Sequence, residues 1–162
     1  EENKFNFDSN VYSIENLNIK RIVLFNIKQT ASGKSVLVKN LLKYLIDNNE
    51  FNFISLFTDT YFNNDYEFID KELVFTSDQL DDKIRKILKI QESNIKRNKI
   101  IHGLIILDDV KVYKKSNMLI DLACKARHYK LTVISSVQFP KQLITTSIRS
   151  NIDYLFWSDL NE

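Results

Sequence analysis

The sequence predicts an α/β fold of three layers, with a mainly parallel central sheet lying between helices. Three observations carry the prediction. Five short apolar runs rich in strand formers alternate with stretches of helical periodicity. One of the runs, Ile100–Val110 (IIHGLIILDDV), is apolar almost without a break, as a strand buried on both faces must be. The first run, Arg21–Asn26, breaks into small polar residues and resumes as a helix at Gly33-Lys34-Ser35. Strands and helices in alternation, joined by right-handed crossovers, produce this layering.

A chain of 162 residues suits one domain, and it buries roughly two thirds of its unfolded surface on folding. No internal repeat or low-complexity linker divides residues 1–162. No apolar run reaches the length of about 18 residues that a membrane span needs. The N-terminal stretch is polar and acidic, unlike a signal peptide. Cys124 is the only cysteine, which excludes an internal disulfide and is compatible with a reducing compartment. It falls among apolar residues of a helical pattern and reads as core. The net charge of +2 neither requires nor excludes nucleic acid.

Residues 1–20 carry scattered apolar positions and read as a leading arm or edge strand. The strand Arg21–Asn26 follows, then a loop, then a helix from Gly33 to about Asp47 with Leu41, Leu42, Leu45 and Ile46 on its stripe. A strand, tight loop and helix that opens on Gly-Lys-Ser constitute a phosphate-binding P-loop. The backbone of Thr30, Ala31, Ser32, Gly33, Lys34, Ser35 and Val36 would cradle the phosphates of a nucleotide. Lys34 would meet the β- and γ-phosphates, and the Ser35 hydroxyl would ligate Mg²⁺. The full pattern asks for a first glycine where this chain has Lys28. An ordinary helix start is the plainer reading of the tripeptide. Context favours the P-loop, because the chain has only two glycines and Gly33 falls where a strand meets a helix.

The second strand is Phe53–Phe57. A polar loop to Asp70 carries Tyr61, Phe62, Tyr66 and Phe68, read as packing under a long connection or as contact with a base or a neighbouring subunit. Val74-Phe75 makes a small edge strand. Thr76 and Gln79 form a capping box that opens a helix to about Asn98. Its buried stripe is Leu80, Ile84, Ile87, Leu88 and Ile95. Its other face carries Lys83, Arg85, Lys86, Lys89, Lys96 and Arg97, either simply solvated or in contact with DNA.

The run Ile100–Val110 ends in Asp108-Asp109, at the carboxyl end of a parallel strand, where open α/β sheets bind ligands. The pair reads as the second nucleotide-site element, the Walker B acid, with a strand-end cap as the plainer alternative. His102 lies within the run and reads as a satisfied core histidine. A helix over Ser116–Tyr129 and a buried strand over Leu131–Val137 follow. Gln138, just past that strand, either caps it or senses the γ-phosphate. A connection from Pro140 contains Arg149, and a last strand, Tyr154–Trp157, closes the series.

Four pieces in this order, Arg21–Ser35, the strand ending in Asp108-Asp109, Ala126-Arg127-His128-Tyr129 and SSVQFPKQLITTSIRSNIDYLF at 135–156, resemble the poxvirus-type viral DNA-packaging ATPases of the FtsK–HerA superfamily. The resemblance implies a P-loop NTPase of RecA-like, additional-strand topology, with the P-loop strand beside the strand that precedes Gln138. It implies ATP and Mg²⁺ as cofactors. Lys34 and Ser35 match the Walker A residues, Asp108 the Mg²⁺-side acid, Asp109 the water-polarising carboxylate and Gln138 the polar sensor. Arg149 aligns with a basic residue that would act in trans across a subunit interface. The implied function is an ATP-hydrolysing motor that translocates double-stranded DNA and packages a viral genome into its capsid. The implied partners are that DNA, further copies in a pentameric or hexameric ring, and capsid vertex proteins. The implied locations are the viral factory of the host cytoplasm and the virion. Members of the family continue past the last core strand, so the resemblance reads the C-terminal extension as absent.

Two other classes fit parts of the pattern. A small P-loop nucleoside or nucleotide kinase has this length but carries an arginine-rich lid not evident here. A non-hydrolysing, nucleotide-binding structural relative fits Lys28 and the short C-terminus.

Overall fold

Strand formers and the three predicted helical stretches fold where their patterns place them. The computed structural model describes residues 23–27, 34–48, 51–60, 66–110, 117–137 and 145–157. In chain order these form β1 (Val23–Ile27), α1 (Lys34–Asn48), β2 (Phe53–Thr58), β3 (Val74–Phe75), α2 (Leu80–Lys96), β4 (Gly103–Asp108), α3 (Met118–Lys125), β5 (Leu131–Val137), α4 (Thr146–Arg149) and β6 (Tyr154–Trp157). The sheet order is β3-β2-β4-β5-β1-β6, and every neighbouring pair is parallel. β5 therefore lies between β4 and β1, so the P-loop strand stands beside the strand that precedes Gln138. The leading arm, residues 1–20, lies outside the described residues.

The two faces of the sheet follow from strand alternation. Leu104 and Ile106 of β4 face α1, where they join Val38, Leu41, Leu42 and Leu45, Leu56 of β2 and Ile134 of β5. Ile105 and Leu107 face the other way, toward Leu80, Ile84 and Leu88 of α2 and Leu119 and Leu122 of α3. Ile148 of α4 joins this second cluster. The result is three layers. Fully burying each such leucine or isoleucine contributes about 1.5–3 kcal/mol, so these two clusters carry the fold.

The predicted capping box is present, with Thr76 and Gln79 bonding reciprocally, and it closes a short 3₁₀ turn (Ser77–Gln79) that leads into α2. Three expectations need correction. Ile95 is exposed, because α2 overruns the amino edge of the sheet before reaching it. One turn earlier Gln91 takes the buried position, and its amide donates to the carbonyls of Ile101 (2.7 Å) and Tyr129 (2.8 Å), just ahead of β4 and β5. Cys124 is exposed, because the buried face of α3 runs through Leu119, Leu122, Ala123 and Ala126 and leaves that residue pointing outward; the helix, ending at Lys125, is also shorter than the 116–129 pattern. His102 is half-buried and precedes β4, with its backbone N–H donating to Asn52 Oδ1 at 2.7 Å.

Gln91→Leu keeps the volume but leaves two inward carbonyls without donors. Stripping such groups costs about 1–3 kcal/mol, which urea unfolding will show as a lowered midpoint with unchanged slope.

Candidate functional site

The apolar rows of the sheet give way to polar ones at its carboxyl edge, on the face that α1 covers. Thr58 of β2, Asp108 of β4, Ser136 of β5 and Asn26 of β1 are successive register partners in one row. Thr58 keeps step with Leu56, Asp108 with Ile106 and Ser136 with Ile134, so all three face the α1 layer. All three are buried. A buried polar row directly above an apolar core requires partners, since an unsatisfied polar group in such a place is expensive.

Most of that requirement is met, and the exceptions are informative. Thr58 Oγ1 lies 3.2 Å from Thr60 Oγ1. Asp108 Oδ2 accepts a 2.6 Å hydrogen bond from the hydroxyl of Tyr66. Asp108 Oδ1 and Ser136 Oγ are buried without a hydrogen-bond partner. Among the described residues, then, one carboxylate oxygen and one neighbouring hydroxyl are presented together with nothing to hold.

Asp109 differs from its neighbour. Its φ of 54° is left-handed, a conformation that costs most residues energy and that aspartate tolerates better than most. The chain leaves the strand at this residue, so Asp109 does not continue the alternation that turns Asp108 inward. Strain of this kind concentrates at sites that hold a side chain in a set place. One strand over, Asp59 accepts from both the backbone N–H (2.9 Å) and the hydroxyl (2.7 Å) of Ser77, which ties the end of β2 to the turn ahead of α2.

β1 ends at the same edge, with Ile27 opposite Val137. α1 then begins at Lys34, and no acidic residue of its own first turn offsets the positive end of the helix dipole. Lys34, Ser35 and Val36 are thus the first residues of the helix packed over the Asp108 row. Thr30, Ala31, Ser32, Gly33 and Gln138 lie outside the described residues, as do Lys28, Tyr61 and Phe62. Arg149 is not part of this arrangement. It is the exposed last residue of α4, on the α3 side of the sheet. Its carbonyl accepts from Ile152 N–H, two residues ahead of β6, so it lies toward the amino edge.

Mg²⁺ takes oxygen ligands and commonly binds through one or two carboxylates together with substrate phosphates. The orphaned Oδ1 of Asp108 fits that demand. Among the described residues no group of three or more His, Cys, Asp or Glu side chains comes together, and an ion shared with phosphates needs none. The basic face of α2 is partly engaged within the chain. Lys83 lies 4.3 Å from the centroid of the Phe75 ring, and Lys96 bonds Glu92 at 2.7 Å. That hydrogen bond and charge hold the Glu92 carboxyl below its ordinary range and raise the Lys96 ammonium. Arg85, Lys86, Lys89 and Arg97 are exposed.

Sequence reasoning offered packing for Tyr66, which its burial bears out, but missed its bond to Asp108, and it missed Ser136. Tyr66 had the signal of an aromatic residue in a polar loop, but its partner lies 42 residues away. Ser136 had only its place near the end of a buried strand.

Solved structures share this fold at low identity. The genome packaging NTPase B204 from Sulfolobus turreted icosahedral virus 2, in complex with ATP-gammaS, superposes with a TM-score of 0.58 at 16% identity, covering 88% of this chain and 77% of that one. The cytoplasmic domain of EssC gives 0.60 at 15% identity over 86% of this chain and 31% of that one. The cytoplasmic domain of the Thermomonospora curvata type VII secretion ATPase EccC gives 0.61 at 13%, over 83% and 20%. The chain thus spans about a third of the EssC structure and a fifth of the EccC structure. No curated protein sequence matches it. The family model described as "Poxvirus A32 protein" matches residues 9–161, nearly the whole sequence, and the chain belongs to that family.

Proposed function

We propose that this protein is an Mg²⁺-dependent ATPase that drives double-stranded DNA into a viral capsid. The observation that carries the reading is the buried, unpartnered Oδ1 of Asp108, on the face that α1 covers and one strand removed from β1, whose following helix opens with Lys34-Ser35. Membership of the poxvirus A32 family and the shared fold of a genome packaging NTPase support the substrate and the task.

On this reading the backbone of residues 30–36 and Lys34 hold the nucleotide phosphates, and Ser35 and Asp108 hold Mg²⁺. The ion supplies neutralisation of the charge that develops between the β- and γ-phosphates. Asp109 accepts a proton from the attacking water, and Gln138 orients that water. Phosphoryl transfer needs little more than such positioning in a dry, charged site. Arg149 belongs to a neighbour's site, which makes a ring of copies the working unit. The exposed basic residues of α2 offer a surface for the DNA backbone. Among the described residues no helix is long and apolar enough to cross a membrane; membership of a poxvirus family supports work in the cytoplasm of an infected cell.

The test is phosphate release from ATP by the full-length protein, with and without double-stranded DNA. Stimulation by DNA is expected, and transfer of phosphate to a nucleoside instead would reassign the chain as a kinase. Lys34→Ala should abolish nucleotide binding with the fold intact, read by calorimetry and far-ultraviolet circular dichroism. ATP affinity unchanged in that variant removes the basis of the assignment.

A further inference from the structure

We propose that Tyr66 is the positioning residue of the metal site, acting through Asp108. This rests on the reading that the Asp108 row takes Mg²⁺ with a nucleotide. The Tyr66 hydroxyl donates to Oδ2 of Asp108 at 2.6 Å and leaves Oδ1 unpartnered. A carboxylate tethered by one oxygen cannot rotate freely, so the other oxygen keeps one direction. The tether is itself fixed. Tyr66 is buried, belongs to the same apolar cluster as Ile69, Leu104 and Ile106, and its ring centroid lies 6.3 Å from that of Phe68. The backbone carbonyl of Tyr66 accepts from Ile69 N–H at 2.9 Å, which closes the turn that presents the ring.

Partners of this kind orient the groups that hold a metal, and removing one typically lowers metal affinity by about 10–100-fold. A purely structural tyrosine predicts something different. A buried carboxylate needs a donor wherever it is, so loss of the hydroxyl would lower stability and leave metal affinity alone.

The two are separated by Mn²⁺ binding to full-length protein saturated with ATPγS, followed by electron paramagnetic resonance. ATPγS affinity without metal is measured alongside by calorimetry. Tyr66→Phe removes one oxygen and keeps the ring, so the turn and its packing persist. The expected result is a fall in Mn²⁺ affinity by about 10–100-fold with metal-free ATPγS affinity unchanged. In an Asp108→Asn background, Tyr66→Phe should then change Mn²⁺ affinity no further, because the two residues act as one unit. Unchanged or higher Mn²⁺ affinity in Tyr66→Phe overturns the proposal, and so does a full additional loss in the double variant. If the wild type takes up ATPγS but no Mn²⁺, the metal site itself is disproved and the positioning role with it. If Lys34→Ala loses ATPγS while Tyr66→Phe keeps its Mn²⁺ affinity, the nucleotide reading stands and only the role of Tyr66 falls.

Discussion

ATP turnover should fall by about 10³–10⁵-fold in Arg149→Ala and return in part when that protein is mixed with Asp109→Asn, itself inactive. The placement of the two residues is the reason. Asp109 follows β4 at the carboxyl edge of the sheet. Arg149 ends α4 on the opposite face, close to the start of β6 and so toward the amino edge. It is not placed to complete its own chain's site. On the proposed reading it completes a neighbour's site, where an arginine supplied across an interface would stabilise the charge of the transferring phosphoryl group. In a mixed ring, some interfaces pair an intact Asp109 with an intact Arg149. ATP binding should be unaffected in Arg149→Ala, because every residue assigned to the phosphates remains. The measurement is phosphate release from assembled full-length rings at several mixing ratios. Absence of any recovery would mean that the arginine does not act in trans. A solvated surface arginine without a role predicts unchanged turnover and a stability change within about 0.5 kcal/mol.

The second large effect separates the paired carboxylates. Asp109→Asn should keep Mg²⁺–ATP affinity and lose turnover by about 10²–10⁴-fold, the usual contribution of a positioned proton acceptor. Asp108→Asn should weaken Mg²⁺ binding itself. The backbone is the reason to expect this division. Asp108 is still in the strand, in step with Leu104 and Ile106, and turns a buried carboxylate into the α1 layer. Asp109 has left the strand through its φ of 54°. Titration of Mg²⁺ into the protein–ATP complex reads the first property, and single-turnover hydrolysis reads the second. Equal losses of Mg²⁺ affinity in the two variants would show that the roles are not divided in this way.

The elements themselves were legible because their signals are local. The apolar run Ile100–Val110 became β4, a strand whose six residues are all buried. The Thr76–Gln79 box closed as predicted, and the stripe Leu80, Ile84 and Leu88 was buried as its spacing requires. Asn98, near the predicted end of α2, takes a left-handed φ of 56°, the usual way for asparagine to stop a helix. Where local pattern was extended too far it failed. Ile95 stands in the last turn of α2, beyond the layer that buries Gln91, and Cys124, though among apolar residues, falls off the buried face of α3 that runs through Leu119, Leu122, Ala123 and Ala126.

Periodicity, capping and the Gly33-Lys34-Ser35 junction act over a few residues, so the sequence alone determined the order and type of the elements. It also placed Lys34, Ser35, Asp108 and Asp109 at strand ends and a helix start. No local pattern decides which strands are neighbours, since pairing joins residues far apart in the chain; the family resemblance implied only that β1 lies beside β5, and tertiary structure decided the rest. The insertion of β5 between β4 and β1 brought Ser136 beside Asp108. Packing of the turn after β2 laid the Tyr66 hydroxyl on that carboxylate. Packing of α4 against the α3 layer set Arg149 away from its own chain's Asp108 row, because burial of Ile148 fixed the helix on that face and its arginine outward.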